Sequence, residues 1–255
     1  MTVEIRARVK GRVDVPEDAY LTFERAERVG ETFSGRKLDK MRMSASSFTS
    51  CEFTDMRIGN WVTGGGRTTA TTYTECVFDR SWIRFNPGGL ARFERCSFRD
   101  VNLRDWMCFE TELVDCVFTG RMRRSFFNGT VREELVEALG RTSNEFQGND
   151  FSGIDLIDVD FRTSIDLSLQ RLPTSDQYVY LPDAERSLQR AREQIVASGR
   201  VRLWGEHGDI VPVIDIPLKN VRNGQRQVLF RKDDYSSEIP PDELDTIFDI
   251  LAAVA

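Results

Sequence analysis

Between Phe33 and Phe118 a large apolar residue recurs every five positions with no slip in register. The series runs Phe33, Leu38, Met43, Phe48, Phe53 and Ile58, then Tyr73, Phe78, Ile83, Phe93, Phe98, Leu103, Leu113 and Phe118, with Thr63, Thr68, Gly88 and Cys108 at the remaining steps. An amphipathic helix places apolar residues three and four apart, and a half-buried strand places them two apart. A step of five belongs to neither, so this stretch is a repeat whose short units bury a core by stacking on one another. A second position, two residues earlier, is mostly small: Ser46, Cys51, Thr71, Cys76, Ser81, Ala91, Cys96, Val101, Thr111 and Cys116.

The segments CEFTD, CVFDR, CSFRDVNL and CVFTG combine both positions and resemble the pentapeptide-repeat family. The resemblance implies a mainly β fold, a right-handed, four-sided parallel β-helix of about five coils. In it, the centre residue and the residue two before it point inward. Four pentads per coil require a 20-residue period, and Phe78, Phe98 and Phe118 are 20 apart, as are Cys76, Cys96 and Cys116. Phe33 to Phe53 is also 20, but Phe53 to Phe78 is 25, and Gly64-Gly65-Gly66 between them marks a five-residue insertion. One side then stacks Phe33, Phe53, Phe78, Phe98 and Phe118; a second stacks Leu38, Ile58, Ile83 and Leu103; a fourth stacks Phe48, Tyr73, Phe93 and Leu113. The third side has centres Met43, Thr63, Gly88 and Cys108, behind Met41, Trp61, Asn86 and Trp106. Exchange of large for small across such a side keeps an interior filled.

In chain order, residues 1–32 read as an N-terminal cap and residues 33–170 as the β-helix. A loop insertion is expected near 61–70 and a helical insertion near 121–143. The latter carries a capping box, Thr130 with Glu133, and an apolar face of Val131, Leu135, Val136 and Leu139. The repeat resumes at Phe146, Phe151, Leu156 and Phe161 with acidic outer positions, which read as turn chemistry and solvation. Residues 171–255 read as an α+β segment. LPDAERSLQRAREQIVAS and PPDELDTIFDILAAVA have helical periodicity, while RVRLWGEHGDIVPVIDIPL and QRQVLFRKDDY read as strands.

The chain has 255 residues, is 30% charged and carries a net charge of −6, which leaves no footprint for nucleic acid. No apolar run is long enough to span a bilayer. The N-terminal MTVEIRARVKGRVDVPEDAY lacks a secretory apolar core, so a bacterial cytosol is the expected compartment. There Cys51, Cys76, Cys96 and Cys116, all at one position of the first side, are expected as reduced core fillers rather than disulfides or metal ligands. His207 is the single histidine, and no phosphate loop, nucleophile elbow or zincin motif is present. The expectation is therefore a non-enzyme with no cofactor, no metal and no catalytic residue.

Two functional classes remain. The resemblance implies a protein-binding scaffold that modulates or protects a type II topoisomerase such as DNA gyrase, as an acidic mimic of duplex DNA. Residues 31–120, however, hold twelve acidic and twelve basic side chains, and a neutral rod mimics DNA poorly. The second class is an immunity-type or structural interaction protein, monomer or homodimer, with the C-terminal segment as reader. Candidate partner-binding residues are the insertion Gly64, Gly65, Gly66 and Arg67, the basic and aromatic group Trp82, Arg84 and Phe85, and the apolar Leu90, Met107 and Phe109. The last three, with Val62 and Pro87, form an outward apolar stripe on the third side. Such a stripe calls for a cover, and the C-terminal helix with Leu244, Ile247, Phe248 and Leu251 is expected to fold back over it.

Overall fold

The computed structural model describes residues 19–65, 68–86, 89–203 and 211–255. The first 18 residues of the expected N-terminal cap, and Gly66, Arg67, Pro87, Gly88 and His207, lie outside the described residues. The fold is mainly β and β-helix-like: a nine-stranded and a six-stranded sheet, both parallel, followed by an α+β module with a two-stranded antiparallel sheet.

The pairings show how the five-residue step becomes a coil. Along one ladder Lys37 pairs with Arg57, Arg57 with Trp82, Trp82 with Asn102, Asn102 with Arg121, and Arg121 with Asp155. The offsets of 20, 25, 20, 19 and 34 follow from the residue numbers. The 25 contains the glycine insertion, and the 34 contains a helical one. A second feature repeats with the pentads. Ser50, Asp55, Glu75, Arg80, Arg95, Asp100, Asp105 and Asp115, each two residues after a centre, all have φ between 50° and 59°. The left-handed conformation turns the chain through a corner there, and few non-glycine residues adopt it elsewhere.

Between corners, the rings stack at the spacing the strands impose. Phe33, Phe53, Phe78, Phe98, Phe118 and Phe151 lie face to face with centroids 5.0, 5.1, 4.7, 5.0 and 4.9 Å apart. Parallel strands lie about 4.8 Å apart, so offset stacking costs no backbone distortion. Phe48, Tyr73 and Phe93 form a second such column, with centroids 5.3 and 4.4 Å apart. Cys51, Cys76, Cys96 and Cys116 are free, buried thiols beside these rings. The Cys96 and Cys76 thiols donate to the carbonyls of Tyr73 and Phe48 at 3.3 and 3.4 Å. Asn149 takes over at the next coil: fully buried, it accepts from the Cys116 amide and donates to the Leu113 carbonyl.

Four sequence expectations need correction. On the third side Phe85, not Asn86, points inward. Phe85 pairs with Trp61 and stacks between Trp61 and Trp106 at 5.3 and 4.2 Å, while Asn86 is half-exposed. One residue is missing from that pentad, so the inward position moves back by one. The repeat also does not stop at Phe118. The strand Val117–Asn128 continues it with Met122 and Phe127 buried, the step from Phe118 to Met122 being four. Gly120 absorbs that slip: its φ is +100°, and a Cβ there would stand 2.3 Å from the Val101 carbonyl oxygen. The helical insertion is therefore shorter than 121–143. Its helix α1 (Glu133–Leu139) has no side-chain N-cap, buries no residue and ends on left-handed Gly140. The path also begins before Phe33, since Tyr20–Glu24 and Glu27–Val29 pair in parallel with the following coil.

The fourth correction concerns the C-terminal region. Helices α2 (Ala184–Ser198), α3 (Pro212–Arg222) and α4 (Pro241–Val254) enclose their own core with Leu181, Leu188, Ile195, Ile214, Phe230, Ile247 and Leu251. Residues 212–222 are helical although they read as a strand; proline at N1 suits a helix start, and Pro217 follows in the second turn. The apolar face of α4 therefore meets α2, not the third side of the coil. The module instead docks on the last coil through strands Tyr178–Leu181 and Val228–Arg231. Tyr178, Tyr180 and Leu229 lean on the coil's core. Backbone amides of the last coil are met by side chains: Leu156 by the Tyr178 hydroxyl at 2.9 Å, Asp158 by Asp234 at 3.0 Å, Ile165 by Gln225 at 3.1 Å and Leu167 by Gln227 at 2.5 Å.

Candidate protein-interaction surface

The expected partner-contacting residues do not form one patch. Gly64 is buried rather than projecting. A Cβ on it would lie 2.1 Å from the Leu90 carbonyl oxygen, and one on Gly89 (φ +129°) would lie 2.2 Å from the Gly64 carbonyl oxygen. The two glycines let successive coils approach, and Gly65 continues the ladder through its amide to the Met43 carbonyl. Phe85 and Leu90 are likewise core, 3% and 6% exposed, and cannot meet a partner.

Met107 and Phe109 are half-buried. Phe109 meets Phe126 edge-on at 4.9 Å, and the Arg132 guanidinium covers its ring at 5.0 Å. Arg132 also makes a two-pronged pair with buried Glu110, at 2.5 and 2.9 Å. Phe109 is thus covered locally by Phe126 and by Arg132, which leads into α1. A cavity of about 420 Å³ lies alongside, lined by Leu90, Glu110, Arg132, Leu135 and Leu139.

Trp82 and Arg84 do share an outer face, along the ladder from Lys37 to Asp155. Arg57 lies over the Trp82 ring at 5.2 Å, a cation–π contact. In the neighbouring column Arg84, Arg104 and Arg123 pair rung to rung. Arg84 and Arg124 both reach Asp105, each at 2.9 Å. Among the described residues no carboxylate pairs with Lys37, Arg57, Arg104, Arg121 or Arg123. The Nε atoms of Arg104 and Arg123 are buried without a hydrogen-bond partner. The sequence shows Arg121, Arg123 and Arg124 only as a small solvated cluster; the pairing of Arg123 with Arg104 and of Arg121 with Asn102 becomes visible once the frame slip after Phe118 is known.

On the other outer faces several charges are compensated. Arg80 holds the exposed Asp55 carboxyl below its usual range, and Arg92 reaches Glu94, Glu112 and Glu145. The acidic positions of the last coil are turn caps or docking groups. Asp150 and Asp166 accept from Ser152 and Ser168, and Asp155 takes Arg231 at 2.8 Å. Burial, aided by Asp160, pushes the Asp158 carboxyl up, and burial pushes Asp234 up beside it. Among the described residues no group of three His, Cys, Asp or Glu converges as a metal site, and no described helix is long and apolar enough to cross a membrane.

No protein-family model matches the chain, and no curated protein does. Among solved structures the chain is similar to full-length QnrB1, a plasmid-mediated fluoroquinolone resistance protein. The identity is 14%, over 59% of this chain and 81% of that one, with a TM-score of 0.18. So loose an overlap leaves function to be argued from this chain's own residues.

Proposed function

We propose that the chain is a non-enzymatic, cytoplasmic protein-binding scaffold, built as a four-sided β-helix of the pentapeptide-repeat type with about five coils. The observation that carries this reading is the filled interior. Phe53, Phe78, Phe98 and Phe118 are wholly buried in one stacked column, and the buried polar side chains of the repeat are mostly small hydroxyls such as Ser46, Thr71 and Ser81. A rigid rod with a solid centre acts through its surface. The regular 20-residue offsets and left-handed corners support the four-sided path.

A type II topoisomerase is the partner class that the pentad resemblance implies. The twelve-to-twelve charge balance over residues 31–120 favours weak rather than strong gyrase protection. The assay is supercoiling by purified gyrase with and without a fluoroquinolone, against increasing amounts of the chain. Strong protection at sub-stoichiometric amounts would overturn the charge argument; partner capture from the native host tests the scaffold reading itself. The separate core of residues 179–251 favours a second reading, an immunity-type interaction protein in which the C-terminal module reads the partner.

A further inference from the structure

We infer that the arginine ladder on the face from Lys37 to Arg123 is a docking surface for an acidic α-helix of a partner protein. This rests on the scaffold reading and names the chemistry of the partner.

The face holds like charge where a solitary rod gains nothing from it. Arg84, Arg104 and Arg123 occupy directly paired positions on three successive strands, and Lys37, Arg57 and Arg121 lie on rungs of the adjoining column. Like charges directly opposite one another in a sheet are destabilising. Asp105 offsets Arg84 and Arg124, but Arg104, Arg121 and Arg123 have no carboxylate among the described residues. Two of the guanidinium groups also leave a buried Nε unbonded, which carries a desolvation penalty. Elsewhere on the coil several arginines are matched by acids, as in Arg80 with Asp55 and Arg95 with Glu75 and Glu94. Arg25, Arg42 and Arg99 also lack a carboxylate, but among the described pairings only on this face do basic residues stand directly opposite one another on successive rungs, and a partner that brings carboxylates satisfies them.

Spacing selects the shape of that partner. Rungs of a parallel ladder are about 4.8 Å apart. On an α-helix, residues i, i+3 and i+4 share a face and rise about 4.5 and 6 Å, so a row of Glu or Asp at those positions meets successive arginines when the helix lies along the coil axis. Four steps of the ladder, Lys37 to Arg121, suit a helix of about three and a half turns. Arginine pairs such carboxylates in two-pronged geometry. A nucleic acid fits less well. The chain carries net charge −6, and the strip is two columns wide against the dense charge of a duplex.

The test uses the full chain and a fluorescent 20-residue helical peptide with glutamates at i, i+3, i+4 and i+7 along one face. The comparison probes are a peptide of the same composition with glutamates spread around the helix, and single-stranded and duplex 20-nucleotide DNA. Expected are salt-sensitive binding of the one-faced peptide, at least tenfold weaker binding of the other probes, and at least tenfold loss in Arg104→Gln/Arg123→Gln. Arg104→Lys/Arg123→Lys, which keeps the charge, should lose less than the glutamine pair. The glutamine variant should melt no lower than the parent, which separates a binding role from a structural one. Tighter DNA binding, equal binding of both peptides, unchanged affinity in the glutamine variant, or a lowered melting temperature would each overturn the assignment. A native partner captured equally by parent and glutamine variant would remove this surface and leave the scaffold reading standing.

Discussion

The Arg231 guanidinium donates to the Asp155 carboxylate at 2.8 Å, joining residues 76 apart in sequence and two separate cores in space. Arg231 is 13% exposed and also holds Asp234 at 2.8 Å. Burial works against its charge, but the Asp234 and Asp155 carboxylates more than offset this and raise its pKa. Arg231→Ala leaves both acids at the interface with no cation, an arrangement that costs about 3 kcal/mol. In calorimetry the variant should melt in two transitions, module first, where the parent melts in one.

Phe98 is wholly buried, stacked between Phe78 at 4.7 Å and Phe118 at 5.0 Å. Phe98→Ala opens a gap in the middle of the column. The expected loss is about 3–5 kcal/mol in urea unfolding, since neighbours held by sheet hydrogen bonds cannot collapse into the space. A midpoint equal to that of the parent would show that the column is not continuous.

Gly64→Ala and Gly89→Ala test the close approach of two coils. Either Cβ would lie about 2 Å from a backbone oxygen, and Gly89 adds a positive φ that alanine resists. Each should lower stability by more than about 2 kcal/mol. Gly65→Ala meets the movable Ser44 side chain instead and should cost clearly less.

Burial pushes the thiols of Cys51, Cys96 and Cys108 and the phenol of Tyr73 above their ordinary pKa values. These groups stay protonated in the fold and ionise in the unfolded chain. The unfolded state therefore binds fewer protons at alkaline pH, and stability falls as pH rises. The decline should begin near pH 9, where free thiols ionise, and steepen above pH 10 through Tyr73. Each group contributes up to about 1.4 kcal/mol per pH unit. Denaturant midpoints measured from pH 7 to 10.5 check this. Native thiol labelling at pH 8 should be at least a hundredfold slower than in denaturant.

The five-residue step is legible because Phe33, Phe53 and Phe78 must each face inward, and inward positions tolerate few residue types. Corners are not legible by composition. Ser50, Glu75 and Arg95 hold the same left-handed turn as Asp115, so the ladder rather than the residue sets it. The errors arise where one residue is lost. Deletion before Phe85 and after Phe118 moves an inward position by one, and a fixed step of five then reads Asn86 inward and overlooks Met122. Those slips also hid the candidate surface, because Arg123 joins Arg84 and Arg104 only in the shifted register. Residues 212–222 read as a strand because Val213, Ile214 and Ile216 are β-branched and Pro217 interrupts a helical pattern, while in the fold Val213, Ile214 and Pro217 bury as one helical face.

Parallel coils are templates by nature: a strand edge at the end of a stack can accept another chain and begin a filament. At the C-terminal end the amides of Leu156, Asp158, Ile165 and Leu167 are each occupied by a side-chain oxygen of Tyr178, Asp234, Gln225 or Gln227. A side chain satisfies a donor without offering the next rung, so it terminates growth as a strand could not. The module thereby occupies, at this end, the donors through which a further coil would pair.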